Sequence, residues 1–275
     1  MKYITLILIT LVVLSSCSTY QDALKSDDIA LKYRLADSLY KEGSFKKSLK
    51  LWEQIVPTYR GRPQAERVMF LYSDTYYQLG NYFLAGYQFE RFVGAYPQSQ
   101  KREEAAFKSA KSYYELSPRH DLDQADTEKA IDKLNNFVNS FPESDQFDEV
   151  NGMIKELNTK IEKKQFEIAK QYNKISNFPS SIKALDIFIS EYPGSSFREG
   201  AIFYKLDSQY KYAIGSLPSL VEERLNLAKG FYENLVRFYP EGEYRKQADD
   251  IYKNIEYRLE EYKKDNTNLE EAKEK

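Results

Sequence analysis

The sequence predicts an all-α fold: an α-solenoid of about five helical hairpins with a C-terminal capping helix. Three observations predict it. Charged residues make up 30% of the chain beside 24 tyrosines and 16 phenylalanines, while Gly 11 and Pro 9 are few for 275 residues. That balance suits amphipathic helices seamed by aromatic rings better than many short strands and turns. A short template also recurs five times: an apolar residue, two free positions, an aromatic and usually a proline. It reads Ile55-Val56-Pro57-Thr58-Tyr59-Arg60, Phe92-Val93-Gly94-Ala95-Tyr96-Pro97, Phe137-Val138-Asn139-Ser140-Phe141-Pro142, Phe188-Ile189-Ser190-Glu191-Tyr192-Pro193 and Leu235-Val236-Arg237-Phe238-Tyr239-Pro240. Past each copy lies a small or branched apolar residue at one fixed distance: Val68, Ala105, Val150, Ala201 and Ala248. Lastly, Ile251, Tyr252, Ile255, Leu259 and Tyr262 keep helical spacing behind the final copy, which predicts the closing helix.

The elements follow in chain order. Lys2 and the uncharged run Tyr3 to Leu14 are too short for a membrane-spanning helix, which needs about 20 residues, and read as a signal peptide over 1–16. Behind them Leu14-Ser15-Ser16-Cys17 carries the sole cysteine. A lone thiol in an exported chain reads plainly as a leftover buried group or an intermolecular disulfide. The string itself resembles the bacterial lipobox, with Ser16 where Gly or Ala is commoner. That resemblance implies diacylglycerol and an N-acyl chain on Cys17, a lipidated linker over 17–28, and no other cofactor. Such an anchor holds through about 0.8 kcal/mol per buried methylene.

Repeats then fill 29–117 and 118–262. Proline lacks an amide donor and restricts the residue before it, so each aromatic-proline pair ends a helix, and Ser99, Ser144 and Ser195 are placed to cap the next one. Gly80-Asn81-Tyr82, Ala85, Phe89, Phe92 and Pro97 match the tetratricopeptide (TPR) spacing, as do Gly43-Ser44-Phe45, Ser48, Trp52 and Ile55, with Arg60 in the proline's place. Glycine permits the tight turn and the small residue lets two helices approach. Later repeats exceed the ~34-residue TPR period through a long helical run from Val150 to Tyr172 and a polar connection from Ser117 to Gln124. Residues 263–275 read as a polar tail expected to fray.

Function is bounded first by exclusion. Lys+Arg 40 against Asp+Glu 42 gives no basic field for nucleic acid. His120, the sole histidine, sits in a polar loop beside Asp121 and reads as a solvated side chain. Asp27-Asp28 and Asp249-Asp250 are adjacent on helices and point apart. No Gly-rich phosphate loop, nucleophile elbow or metal-ligand cluster is present, so neither an enzyme nor a metal site is expected.

The whole mature chain resembles the BamD family, the TPR lipoprotein of the outer-membrane β-barrel assembly (BAM) machinery, in its Bacteroidetes-like form. The resemblance rests on the lipobox with Tyr20-Gln21, on Tyr113-Tyr114-Glu115-Leu116-Ser117-Pro118 followed by Leu122-Asp123-Gln124, Thr127 and Ala130-Ile131, and on Phe137 through Ser144. It continues through Leu157, Lys160-Ile161-Glu162-Lys163-Lys164, Ala169 and Tyr172. It implies a non-enzymatic assembly factor, lipid-anchored on the periplasmic side of the outer membrane. Its C-terminal repeats would bind the periplasmic (POTRA) domains of BamA, and its N-terminal repeats would meet unfolded β-barrel proteins. The first helices of a TPR array line its concave side. That places Tyr33, Asp37, Tyr40, Lys41, Arg67, Phe70, Asp74, Tyr77 and Gln78 in a candidate peptide groove, although Tyr33, Tyr40 and Phe70 also suit packing between helices. Lys160, Lys163, Arg198, Tyr204 and Arg245 are candidate partner contacts. Two other classes stay open: a glycan-binding lipoprotein of a nutrient-uptake system, and a periplasmic envelope scaffold.

Overall fold

A computed structural model describes residues 19–273, with side chains described to residue 264. The signal peptide and Cys17 lie outside the described residues. A helix over residues 19–25 (α1) precedes α2 (Ile29–Lys41), α3 (Phe45–Tyr59), α4 (Ala65–Gln78), α5 (Tyr82–Ala95), α6 (Arg102–Glu115) and α7 (Ala125–Ser140). The chain continues through α8 (Phe147–Lys174), α9 (Phe178–Glu191), α10 (Arg198–Ile214), α11 (Pro218–Phe238) and α12 (Arg245–Lys273). All regular structure among the described residues is helical. The helices pair as five hairpins closed by α12, the predicted array of TPR-like units. Two compact units divide between Leu157 and Asn158, inside α8.

Local chemistry sets the hairpins. After α2 the chain turns through Gly43 at φ 77°, and after α4 through Gly80 at φ 70°, a left-handed conformation that favours glycine. The Ser44 amide donates to the Leu39 carbonyl at 2.8 Å and the Asn81 amide to Tyr76 at 3.0 Å, closing each helix end in the Schellman manner. The same turn recurs after α8, where Ser176 adopts φ 62° and the Asn177 amide reaches the Tyr172 carbonyl at 2.9 Å. Within the hairpins the small residues bring backbones together: Ser48 Oγ donates to the Ala36 carbonyl at 2.8 Å, and Ser181 Oγ to Ala169 at 3.4 Å.

Tyr96, Phe141, Tyr192 and Tyr239 are the C-caps of α5, α7, α9 and α11, as the aromatic-proline pairs predict. The first copy differs. α3 runs through Pro57 to Tyr59 because the residue after its aromatic is Arg60, which does not force an end. The serines also act one step earlier than expected. Ser99, Ser144 and Ser195 accept from the amides of Lys101, Gln146 and Phe197 at 2.9, 3.2 and 3.2 Å. They therefore fold the turn ahead of the helix instead of capping the helix. α12 continues to Lys273, past the expected limit at Tyr262. Leu269, Ala272 and the Glu/Lys run are good helix formers, and no Gly or Pro interrupts them.

Each unit has its own core. In the first, Trp52, Phe89 and Phe92 are fully buried with Leu51 and Ile55, followed by a cluster of Leu134, Phe137, Val150 and Leu157. In the second, Phe166, Leu185 and Phe188 lead into Leu206, Leu225, Leu235 and Ile255. Each such side chain contributes about 1.5–3 kcal/mol on burial, so the aromatic and leucine seams, not the polar faces, hold the hairpins together.

Candidate functional site

In the first unit the first helices of successive hairpins, α2, α4 and α6, are cross-linked by polar side chains one repeat apart. The outer set centres on Asp37. Arg67 Nη2 donates to its Oδ1 at 2.6 Å and Lys41 Nζ pairs with its Oδ2 at 2.7 Å, while Arg67 Nε donates to the Tyr33 hydroxyl at 3.0 Å. Burial opposes the charge on Asp37, but hydrogen bonds from Lys41 and Arg67 and their positive charges outweigh it and hold its carboxyl below the ordinary range. Lys41 and Arg67 are mostly exposed, at 67% and 53%, so these pairs add at most about 1 kcal/mol each.

The inner set centres on Asp74, whose side chain is 1% exposed. It accepts from the Tyr40 hydroxyl in a short hydrogen bond, from Gln78 Nε2 at 3.2 Å and from Lys108 Nζ at 2.6 Å. Lys108 also pairs with Glu104 at 2.9 Å, and Glu104 with Lys101 at 2.8 Å. Burial of the Tyr40 ring, followed by its bond to Asp74, pushes its hydroxyl well above the normal phenol range. Burial works against the charge of Lys108, yet Asp74 and Glu104 outweigh it and raise its pKa. The buried carboxylate is thus satisfied by a hydroxyl from α2, an amide from its own helix and an ammonium from α6.

The nine candidate groove residues do come together, in two layers. Phe70 is buried, its ring T-shaped against Phe89 and Phe92 at 5.8 and 5.5 Å, and Asp74 lies under the surface. Tyr33 packs edge-on to Trp52 at 5.8 Å, Tyr40 to Phe45 at 5.5 Å and Tyr77 to Tyr82 at 5.7 Å. Tyr33, Tyr40 and Tyr77 are half-buried, and Lys41, Arg67 and Gln78 are exposed. The outer layer therefore offers half-buried tyrosines, two cations and an amide on a backbone fixed from below. Lys108 and Glu104 belong to the same face and escaped the sequence reading. The signal was available: Tyr40, Asp74 and Lys108 are bonded at separations of 34 residues, the TPR period.

Further along α6, Lys111 pairs with Glu149 at 2.8 Å, and Tyr114 donates to Glu156 at 2.7 Å. Burial and that carboxylate push the Tyr114 hydroxyl up to about 12.

In the second unit Arg198, Tyr204 and Arg245 gather around the turn before α12. Arg198 lies 4.9 Å from the Phe238 ring centroid and donates to the Tyr239 hydroxyl at 3.4 Å. Tyr204 meets Tyr244 at 6.0 Å and Phe166 at 6.1 Å, under Lys170 at 5.0 Å. Arg245 donates to Asp249 at 2.8 Å and to the Pro240 carbonyl at 2.9 Å. Lys160 and Lys163 lie on α8 ahead of Phe166.

Comparison with solved structures returns helical-repeat proteins. The TPR2AB-domain–pHSP90 complex of yeast Sti1 aligns at 14% identity, covering 83% of this chain and 98% of that one, with a TM-score of 0.39. A kinesin light chain of Podospora anserina with nearly identical TPR-like repeats aligns at 13% identity over 73% of this chain and 92% of that one, with a TM-score of 0.31. No curated protein matches. The family model YfiO, described as outer membrane lipoprotein, matches residues 26–216, well over half of the chain and including both candidate faces up to Tyr204. The chain belongs to the YfiO (BamD-like) family of outer membrane lipoproteins.

Proposed function

We propose that the protein is a non-enzymatic scaffold of the BAM complex, of the Bacteroidetes-like form, tethered by acyl chains on Cys17 to the periplasmic side of the outer membrane. Its first unit takes extended segments of unfolded β-barrel proteins on the α2–α4–α6 face, and its second unit binds the periplasmic POTRA domains of BamA around Arg198, Tyr204, Arg245, Lys160 and Lys163. The observation that carries this reading is the cross-linked first-helix face, in a chain of this family. Partly open tyrosine rings beside Arg67 and Lys41 suit an extended, aromatic-containing peptide, because rings and guanidinium groups dominate such contacts. The buried Asp74 network holds their backbone in place before binding, which cuts the ordering penalty. Every carboxylate on the face has a cation or hydroxyl partner, an arrangement suited to recognition.

The test is a pull-down of the native protein from detergent-solubilised outer membrane, with crosslinking and mass spectrometry. Expected is a barrel protein with repeated periplasmic domains crosslinked to residues after Asn158, together with barrel segments crosslinked near Lys41 or Arg67. Recovery of a nutrient transporter or of peptidoglycan enzymes in their place would overturn the assignment.

A further inference from the structure

α1 is docked onto the first hairpin and not left as a free linker. Tyr20 is 8% exposed and Ala23 is fully buried, both inside the first-unit core. The Tyr20 hydroxyl donates to the Lys47 carbonyl at 3.4 Å, and Lys47 Nζ stands 5.5 Å from the Tyr20 ring centroid. The first two turns of α3 therefore sit at the point where the chain arrives from its N-terminus. Those turns read Phe45-Lys46-Lys47-Ser48-Leu49-Lys50, and all three lysines are exposed. Their spacing puts them on one side of α3, opposite the buried Ser48, Leu51 and Trp52. None forms a salt bridge among the described residues. Nearby acids are partly committed: Asp28 caps α2 through Ala30 and Leu31, Glu42 accepts from Ser38, and Glu53 on α3 accepts from Tyr76. Those donors are neutral and leave the carboxylates charged, and Asp22 on α1 and Asp27 behind it also carry opposing charge.

We propose that Lys46, Lys47 and Lys50 form a docking surface for anionic phospholipid headgroups, those of the bilayer that holds the acyl chains of Cys17. The inference rests on the lipidation reading above. Only Ser18 separates Cys17 from Thr19, so their Cα atoms stand at most about 7 Å apart, and Lys46 and Lys50 lie about one helical turn apart. The patch is thus held within roughly one to two Debye lengths of the surface, ~8 Å each at physiological salt, where basic side chains still feel it. The partner follows from charge complementarity and from where the anchor enters. The patch adds orientation to the tether: one face of the first hairpin lies toward the membrane.

The test uses the mature full-length chain with Cys17→Ser, so that no acyl chain masks the effect. Binding is measured by flotation with phosphatidylcholine vesicles and with phosphatidylcholine–phosphatidylglycerol vesicles. About fivefold per basic residue at an anionic surface gives a preference on the order of a hundredfold for the anionic vesicles. It should fall at raised salt and be abolished in K46Q/K47Q/K50Q. Glutamine keeps helix propensity near that of lysine, and far-UV circular dichroism checks that the variant is folded. Equal binding to both vesicles, or a triple variant that keeps the preference, would overturn the proposal. The mass of the native N-terminus tests the anchor separately. An unmodified Cys17 would sink the tether, while an anionic preference abolished by the substitutions would still uphold the headgroup surface.

Discussion

Lys108 is the side chain whose loss should unsettle the candidate face most. Lys108→Met removes the only cation bonded to Asp74 among the described residues, a carboxylate 1% exposed. Stripping one partner from a buried ion pair costs about 3–5 kcal/mol. Here Lys108 keeps 20% exposure, so water can reach the vacated position, and Tyr40 and Gln78 still donate to the carboxylate. The expected loss is therefore about 2–3 kcal/mol, that of a hydrogen bond to a charged group. Asp74→Asn retains an acceptor for Tyr40 and leaves Lys108 paired with Glu104, so about 1 kcal/mol is expected. The double variant removes both charges and should cost less than Lys108→Met alone, with a coupling of roughly 1.5 kcal/mol. The assay is urea denaturation followed by tryptophan fluorescence. Trp52 is the sole tryptophan and is fully buried in the first unit, so its signal isolates that unit even if the second unfolds separately. Additive losses in the double variant, or a Lys108→Met loss below about 0.5 kcal/mol, would refute the account of Asp74 as a charge held by α6.

Three further outcomes are expected. Asp37 and Glu104 both sit below their ordinary pKa: burial opposes their charge, but Lys41 with Arg67, and Lys101 with Lys108, outweigh it. Their stabilisation is complete above the unfolded values near about 4 and is lost as pH falls through the lowered folded values. Tyr40 and Lys108, shifted upward, stabilise fully below about 10 and lose that stabilisation as pH rises through the raised folded values. The Trp52-monitored midpoint should therefore be flat between and fall on both sides. Ser176→Gly should stabilise the second unit by about 0.5–1 kcal/mol, because Ser176 holds a left-handed φ of 62° that glycine adopts without strain; far-UV melts check it. Gly242→Ala should cost about 1–3 kcal/mol, since a methyl there would collide with Glu199 Oε1, which accepts from the Tyr244 amide at 2.9 Å. A variant with an unchanged melt would show that Glu199 can move aside.

The sequence was most legible where one residue type has one physical use. Tyr-Pro and Phe-Pro mark helix ends to the residue, because proline disfavours helix in the residue before it, and Gly43 and Gly80 mark turns because glycine takes a positive φ without strain. It was less legible where context decides. Ser99 could cap a helix or a turn, and its place three residues ahead of α6 chose the turn. Phe70 and Tyr77 share a face on paper, yet Phe70 lies against Phe89 and Phe92 while Tyr77 stays half-buried, a distinction set by the second helix of the same hairpin. Lys108 was missed because its importance comes from a carboxylate one repeat away, and a charged residue on a helix otherwise reads as a solvated one.

The two units apply one scaffold to different chemistry. Asn173 donates to Asp207 at 2.8 Å across 34 residues, as Tyr40 does to Asp74, and Ser181 back-bonds Ala169 as Ser48 does Ala36. The third rung differs. Counting on from the aromatic-proline pair, the counterpart of Lys108 is Ile251, and the cation on Asp207 is Lys211 from its own helix, at 2.6 Å. α12 is tied instead to α11, through Lys229 with Glu256 at 3.0 Å and Tyr232 with Asp249 at 2.7 Å. A ligand that shifted α4 against α2 or α6 would have to break bonds to a buried charge, so the first unit's face is fixed before anything binds it. In the second unit α12 can move against α10 without breaking the Asp207 network. Under the proposed function, a face fixed in advance would take extended segments at little ordering cost, and the second unit, without that third rung, would adjust to a folded partner.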